Sequence, residues 1–281
     1  MRRLRLGAEL RRLREAFGPT AEEVASRLEW SPSKLSRVET AKIGVRVSDV
    51  RLLLEFYQVD EAHMGEILAL AQSATQPGWW TRYRDAVSER FAAYVALEDE
   101  ANAALTYGTY VVPGLLQSEE YARSTIETSR AIVARSPRDI ARQVEVRRRR
   151  QELLTKDNPL VLSAVVDESV LLRVVGGEDV MRRQMHTLIE LSKLPNVQIF
   201  VLPLDVQREP IVSESFTLLE FAPAYEVHFP DVTHIENLSA SLKVQEDSIT
   251  HMYRRSWEAL RAAALSADES IGRIAALAEP R

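Results

Sequence analysis

Residues 20–39, TAEEVASRLEWSPSKLSRVE, carry two helix starts separated by a short interruption, and this constrains the chain more than any other stretch. Thr20 followed three residues later by Glu23 is the signature of a capping box, in which each partner satisfies an orphan N–H of the first turn. Val24, Ala25 and Leu28 then mark an inward face, and the helix should end near Leu28. Ser31-Pro32 supplies a second N-cap, with proline at the first helical position, where a missing N–H does no harm. In the helix that starts at Pro32, Leu35 and Val38 face inward, while Ser33, Lys34 and Arg37 fall on the other side and offer two cations to solvent. Two short helices joined by a tight turn, the second polar and basic outside, have the layout of a helix-turn-helix that lays its second helix in the major groove of DNA. Simple packing of a short amphipathic helix gives the same periodicity.

The flanks extend the pattern. Leu6, Leu10, Leu13 and Phe17 form one apolar stripe, which predicts a helix over residues 7–17 closed by Gly18-Pro19. Ser48 is the expected cap of a fourth helix with Val50, Leu53, Leu54 and Tyr57 inside, and Asp60 opens a fifth over residues 61–74. The segments LGAELRRLREAFG, TAEEVASRL, SPSKLSRVE, TAKIG and VSDVRLLLEFYQV together resemble the XRE, or lambda-repressor, family of helix-turn-helix domains over roughly residues 6–59. That resemblance implies an all-α five-helix domain whose second and third helices read DNA. It places base-reading positions on Pro32, Ser33 and Arg37, beside Lys34, and a phosphate-gripping loop on Lys42 and Arg46. It also implies an ion pair between Arg14 and Glu39. Ala21 stands where many members carry a backbone-clamping glutamine, and Pro32 replaces a side chain that often reads a base, so direct readout should be thin. Arg37 suits a guanine edge or a phosphate, and Ser33 can pair with almost any base.

At 281 residues the chain exceeds one ordinary domain. Its net charge of −5 looks wrong for a DNA binder, but residues 1–60 hold 12 Lys+Arg against 9 Asp+Glu, and the remainder holds 24 against 32. So small a basic excess predicts weak binding by one copy and a homodimer on paired operator half-sites. The absence of cysteine removes disulfide scaffolds and thiolate metal sites. No apolar run approaches the length of a bilayer span, and the basic start MRRLRLGAELRR lacks the apolar centre of a signal peptide. The expected location is the cytoplasm, at the nucleoid.

The breaker Thr75-Gln76-Pro77-Gly78 divides a DNA-binding domain, residues 1–75, from a second domain, residues 79–281. Trp79, Trp80, Tyr83, Phe91 and Tyr94 lie on segments read as helical through about Leu105; they fit a core, or a cavity for a ligand or partner helix. Ser118 and Ser136-Pro137 start helices, and the second contains Arg147, Arg148, Arg149 and Arg150. Four consecutive arginines spread around a helix, as suits a solvated helix with its own ion pairs or a contact with DNA or an acidic partner. From Pro159 the texture changes. Residues 160–166 and 197–202 read as strands joined through helices over 167–175 and 178–194, which favours a parallel pair with a crossover. Residues 215–221, 225–229 and 232–236 read as short antiparallel strands, and residues 246–265 and 268–277 as helices. The second domain is therefore expected to be α+β, with helices flanking a mixed sheet.

The stretches WWTRYRDAV, YVALEDEANAALTYG, VPGLLQSEEYAR, RRRRQELL, VVDESVLLRVVGG, PNVQIFVLP and YRRSWEALRAAALS are similar to the large effector-like domain behind the helix-turn-helix of many actinobacterial regulators, the WhiJ-like and Scr-type proteins among them. The resemblance covers nearly all of residues 79–270. It implies a transcriptional regulator, a repressor of development or secondary metabolism, paired with a small partner protein encoded nearby. The alternative is gating by a small molecule in a cavity at Trp79, Trp80 and Tyr83. An enzyme is not expected, and neither a cofactor nor a metal. His63, His186, His228, His234 and His251 show no metal-ligand spacing, and no glycine-rich phosphate loop or nucleophile elbow occurs. His228 and His234 lie near Asp231 and Glu236, a metal set on paper only. Glu98, Asp99 and Glu100 suit an ion-pairing helix face rather than acid catalysis.

Overall fold

A computed structural model describes residues 2–128, 136–206, 214–223, 229–236, 241–244 and 246–279. The chain divides into two compact units, Met1–Trp79 with Pro223–Phe229, and Trp80–Ala222 with Pro230–Arg281.

The first unit is built from α1 (Arg2–Phe17), α2 (Ala21–Arg27), α3 (Pro32–Glu39), α4 (Val47–Phe56) and α5 (Glu61–Thr75). Leu6 and Leu10 of α1, Val24 of α2, Leu35 and Val38 of α3, Val50, Leu53 and Leu54 of α4 and Ile67 of α5 close one core. α1 begins at Arg2 rather than near Gly7, because Arg2 donates to the Ser73 carbonyl (3.3 Å) and ties the extra turn to α5. Gly7 lies where α1 crosses the end of α3. A Cβ there would stand 2.5 Å from the Glu39 carbonyl oxygen and 2.7 Å from that of Val38, so only glycine permits the approach. Ser48 is not the cap of α4; the cap position falls on Arg46, whose side chain makes no capping bond, because Val47 packs against the core as the first helical residue.

Three successive helices end alike. After α2, α3 and α4 the chain turns through Glu29, Ala41 and Gln58, with φ of 55°, 56° and 54°. The N–H groups of Trp30, Lys42 and Val59 then reach back to the carbonyls of Ala25, Arg37 and Leu54 at 2.7, 2.8 and 3.0 Å. This is the Schellman arrangement, in which a left-handed residue, usually glycine, lets orphan carbonyls be satisfied.

The second unit contains α6 (Glu89–Glu98), β1 (Ala103–Gly108), α7 (Glu119–Thr128), α8 (Pro137–Gln151), β2 (Val161–Asp167), α9 (Glu168–Leu172), α10 (Glu178–Leu191), β3 (Val197–Leu202), β4 (Phe216–Glu220), β5 (Val232–Glu236), β6 (Ser241–Val244), α11 (Asp247–Ala263) and α12 (Ala267–Ala278). One six-stranded sheet has the order β3-β2-β1-β4-β5-β6. β1, β2 and β3 run parallel, and β4, β5 and β6 pair antiparallel, so the unit is α+β with a mixed sheet. The β2–α10–β3 crossover and the antiparallel β4–β5 pair follow the expectation. β1 corrects it. Alanines and Leu105 favour a helix, but pairing with β2 on one side and β4 on the other overrides that local preference. β6 gave no strand signal, and the strand expected over residues 225–229 falls outside the described residues except for Phe229, which joins no strand. One sheet face buries Tyr107, Val165, Phe200 and Phe216 against Tyr253 and Leu260 of α11. Beyond β1, three glutamines clamp the loop over residues 112–118. Gln117 donates to the Val112 carbonyl (2.7 Å), Gln151 to that of Leu115 (3.2 Å), and Gln184 both donates to Leu116 (2.8 Å) and accepts from the Ser118 N–H (2.7 Å). Among the described residues no helix is long and apolar enough to cross a membrane.

Candidate nucleic-acid interface

The α2–turn–α3 element forms as its caps require. Thr20 N–H donates to the Glu23 carboxylate (2.8 Å) while the Glu23 N–H donates to the Thr20 hydroxyl (3.2 Å), which completes the capping box. Ser31 caps α3 by accepting from the Lys34 N–H (3.2 Å), with Pro32 next. Leu35, Val38 and Glu39 are buried, whereas Pro32, Ser33, Ser36, Arg37 and Thr40 form the exposed face. The left-handed turn at Ala41 then swings Lys42 out beyond the end of the helix, and Arg46 follows at the start of α4. Arg37, Lys42 and Arg46 are exposed and enter no ion pair among the described residues. Lys34 departs from the expectation of a free cation. Its ammonium binds Asp49 at 3.0 Å and sits 3.6 Å from the centre of the Trp30 ring, since the tight turn lays Trp30 beside the first turn of α3. Of the four cations expected to contact DNA, Arg37, Lys42 and Arg46 are thus exposed, while Lys34 is engaged within the domain.

Arg14 and Glu39 meet in a two-pronged pair, Nε to Oε1 at 2.7 Å and Nη2 to Oε2 at 3.0 Å. Glu39's hydrogen bonds hold the Arg14 guanidinium above its usual pKa. Side-chain exposures of 13% and 5% put the pair inside the domain, linking α1 to the last turn of α3. Glu39→Ala is expected to destabilise this unit by about 2 kcal/mol, because Arg14 would keep a desolvated charge with its main acceptor gone. Faster amide exchange confined to α1 and α3 is the readout, and wild-type exchange would show the pair to be dispensable.

Trp79, Trp80 and Tyr83 fall on one short 3₁₀ turn, Trp79–Tyr83. Trp79 and Trp80 are half-buried; Tyr83 is buried with the Arg142 guanidinium 5.4 Å from its ring. They do not line the cleft found in the α+β unit. The arginine run splits. Arg150 is buried and pairs doubly with Glu98 (2.6 and 2.7 Å), Arg147 bonds Gln117 and Thr125 (both 3.1 Å), and Arg148 and Arg149 lie against Glu145 (2.8 and 3.6 Å). No four-arginine surface results. His228 lies outside the described residues, and His234 is stacked on Tyr94. Among the described residues no group of three or more His, Asp or Glu could hold a metal ion.

Comparison with known families gives two matches. Residues 5–67 match a model described as a helix-turn-helix domain, and residues 91–276 match one described as Domain of unknown function (DUF5753). No curated protein and no solved structure matches the chain.

Proposed function

Because the chain belongs to the DUF5753 family and carries an XRE-type helix-turn-helix domain ahead of that region, we propose that it is a sequence-specific transcriptional regulator that binds operator DNA through α3. The supporting observation is the reading helix itself. Its inner face is fixed by Leu35, Val38 and the Glu39–Arg14 pair, while Arg37 on its outer face and Lys42 and Arg46 after it are exposed. Arg37 reads a base and the other two grip phosphate. The small basic excess of residues 1–60 supports a homodimer on two half-sites. The resemblance to WhiJ-like and Scr-type regulators supports a role in development or secondary metabolism, control by a small partner protein, and location at the nucleoid. The carboxy-terminal unit is a control module and not an enzyme.

Arg37→Ala is expected to weaken specific binding by about 1–3 kcal/mol and to relax preference at one position per half-site. Lys42→Ala should weaken binding to all sequences alike and flatten the salt dependence by about one ion. Gel shifts on a randomised operator pool at fixed salt separate the two. Unchanged affinity and preference for Arg37→Ala would remove α3 as the reader.

A further inference from the structure

A cleft of about 150 Å³ opens in the α+β unit between the sheet and helices α6 and α8. It lies at the carboxyl end of β1, the strand where the parallel half of the sheet meets the antiparallel half. Strand connections part company at such a boundary and leave a crevice, the usual place for a ligand in open α/β sheets. The floor carries an unusual row. Thr106, Thr217 and His234 are register partners across β1, β4 and β5, with the two hydroxyls 3.0 Å apart, whereas Ala104, Ala164 and Leu219 on the same face are aliphatic. Thr106 also donates to the Phe216 carbonyl (3.2 Å), so the row is held by bonds within the sheet while it lines the cleft. One wall is aromatic: the Tyr94 and His234 rings stack at 3.8 Å and 21°, and Phe91 lines the same side.

The lining includes two guanidinium groups, Arg147 and Arg150, and no carboxylate among the described residues; Glu98, which holds Arg150, is behind the wall. Arg147 is fixed at the rim by bonds that include those to Gln117, Thr125 and the Ala122 carbonyl. Burial, and then Arg150, push the His234 imidazole down to about 4, so it adds no charge at neutral pH. The glutamine clamps hold the rim loop in place before anything binds. A cavity of this volume admits one aromatic ring and little more.

We propose that this cleft binds a small ring-bearing carboxylate, its ring against Phe91, Tyr94 and His234 and its carboxylate towards Arg147 and the Thr217 hydroxyl. The site is separate from Trp79, Trp80 and Tyr83, and it stands whether or not the chain reads DNA as described above.

The test is ligand-observed NMR on the full chain with benzoate, and with benzamide as its uncharged isostere. Benzoate should bind saturably and benzamide about tenfold more weakly, the ratio one charge-assisted hydrogen bond supplies. Val111→Phe fills the cleft from its half-buried rim and should abolish benzoate binding, and Thr217→Val should weaken it, both with an unchanged near-UV circular dichroism spectrum. Equal binding of benzoate and benzamide, benzoate binding that survives Val111→Phe, or no saturation by about 10 mM would each overturn the proposal.

Discussion

Glu98→Ala is expected to destabilise the α+β unit by about 3–5 kcal/mol, the range seen when one partner of a buried ion pair is removed. Glu98 has no exposed side-chain surface and Arg150 only 7%. The carboxylate accepts twice from Arg150 and once from the Tyr94 hydroxyl at 2.6 Å, so its loss strands a charge and a phenol together. Burial and then Glu98 already raise the Tyr94 hydroxyl well above its ordinary pKa, so it remains a donor in search of an acceptor. The guanidinium is also enclosed by the rings of Phe91 and Tyr94, 5.4 and 5.3 Å from their centres, and cannot turn to water without breaking that packing. The double variant Glu98→Leu, Arg150→Met should recover much of the loss, because apolar groups of similar volume carry no desolvation penalty. Thermal unfolding of the two singles and the double closes the cycle. If Glu98→Ala melts like the parent chain, the pair contributes nothing.

Gly7→Ala should destabilise the first unit by about 3 kcal/mol, near the upper end for overpacking. The obstacle is backbone. The new methyl would meet the Glu39 and Val38 carbonyl oxygens at 2.5 and 2.7 Å, and these belong to the last turn of α3, already anchored by Arg14. Either α1 lifts from the core or α3 tilts, and both disturb the exposed face that carries Arg37. DNA binding should therefore fall with stability, while the melting of the α+β unit is unchanged. Gly65→Ala in α5 is the control, since a Cβ there meets nothing within 4 Å and a helical alanine is worth up to about 1 kcal/mol over glycine. Equal behaviour of the two variants would remove the crossing of α1 over α3 as a constraint.

What the sequence made legible was local. The Thr20–Glu23 box, the Ser31-Pro32 start and the Asp60 cap each depend on residues within a turn, and each appears in the structure at its expected place. What it concealed depended on distance along the chain. Asp49 takes up Lys34 from fifteen residues away, and Glu98 takes up Arg150 from fifty-two, so neither cation could be assigned from its own helix. β1 is a strand only because β2 and β4 flank it, and its alanines carry the opposite local signal. The cleft draws on residues from Phe91 to His234, and no spacing rule connects them. Its one early trace was a set of aromatic residues after the domain boundary, of which Phe91 and Tyr94 line it and Trp79, Trp80 and Tyr83 do not.

The left-handed residues Glu29, Ala41 and Gln58 bear on how long the molecule lasts. An L-residue in that conformation is strained by about 1–2 kcal/mol, so three of them hold back an amount comparable with a sizeable part of a small domain's net stability. Anything that binds only the native form stabilises it by mass action and lengthens its lifetime against proteolysis. Operator-bound copies would then outlive unbound ones, and the number of molecules present would follow the number of sites they occupy.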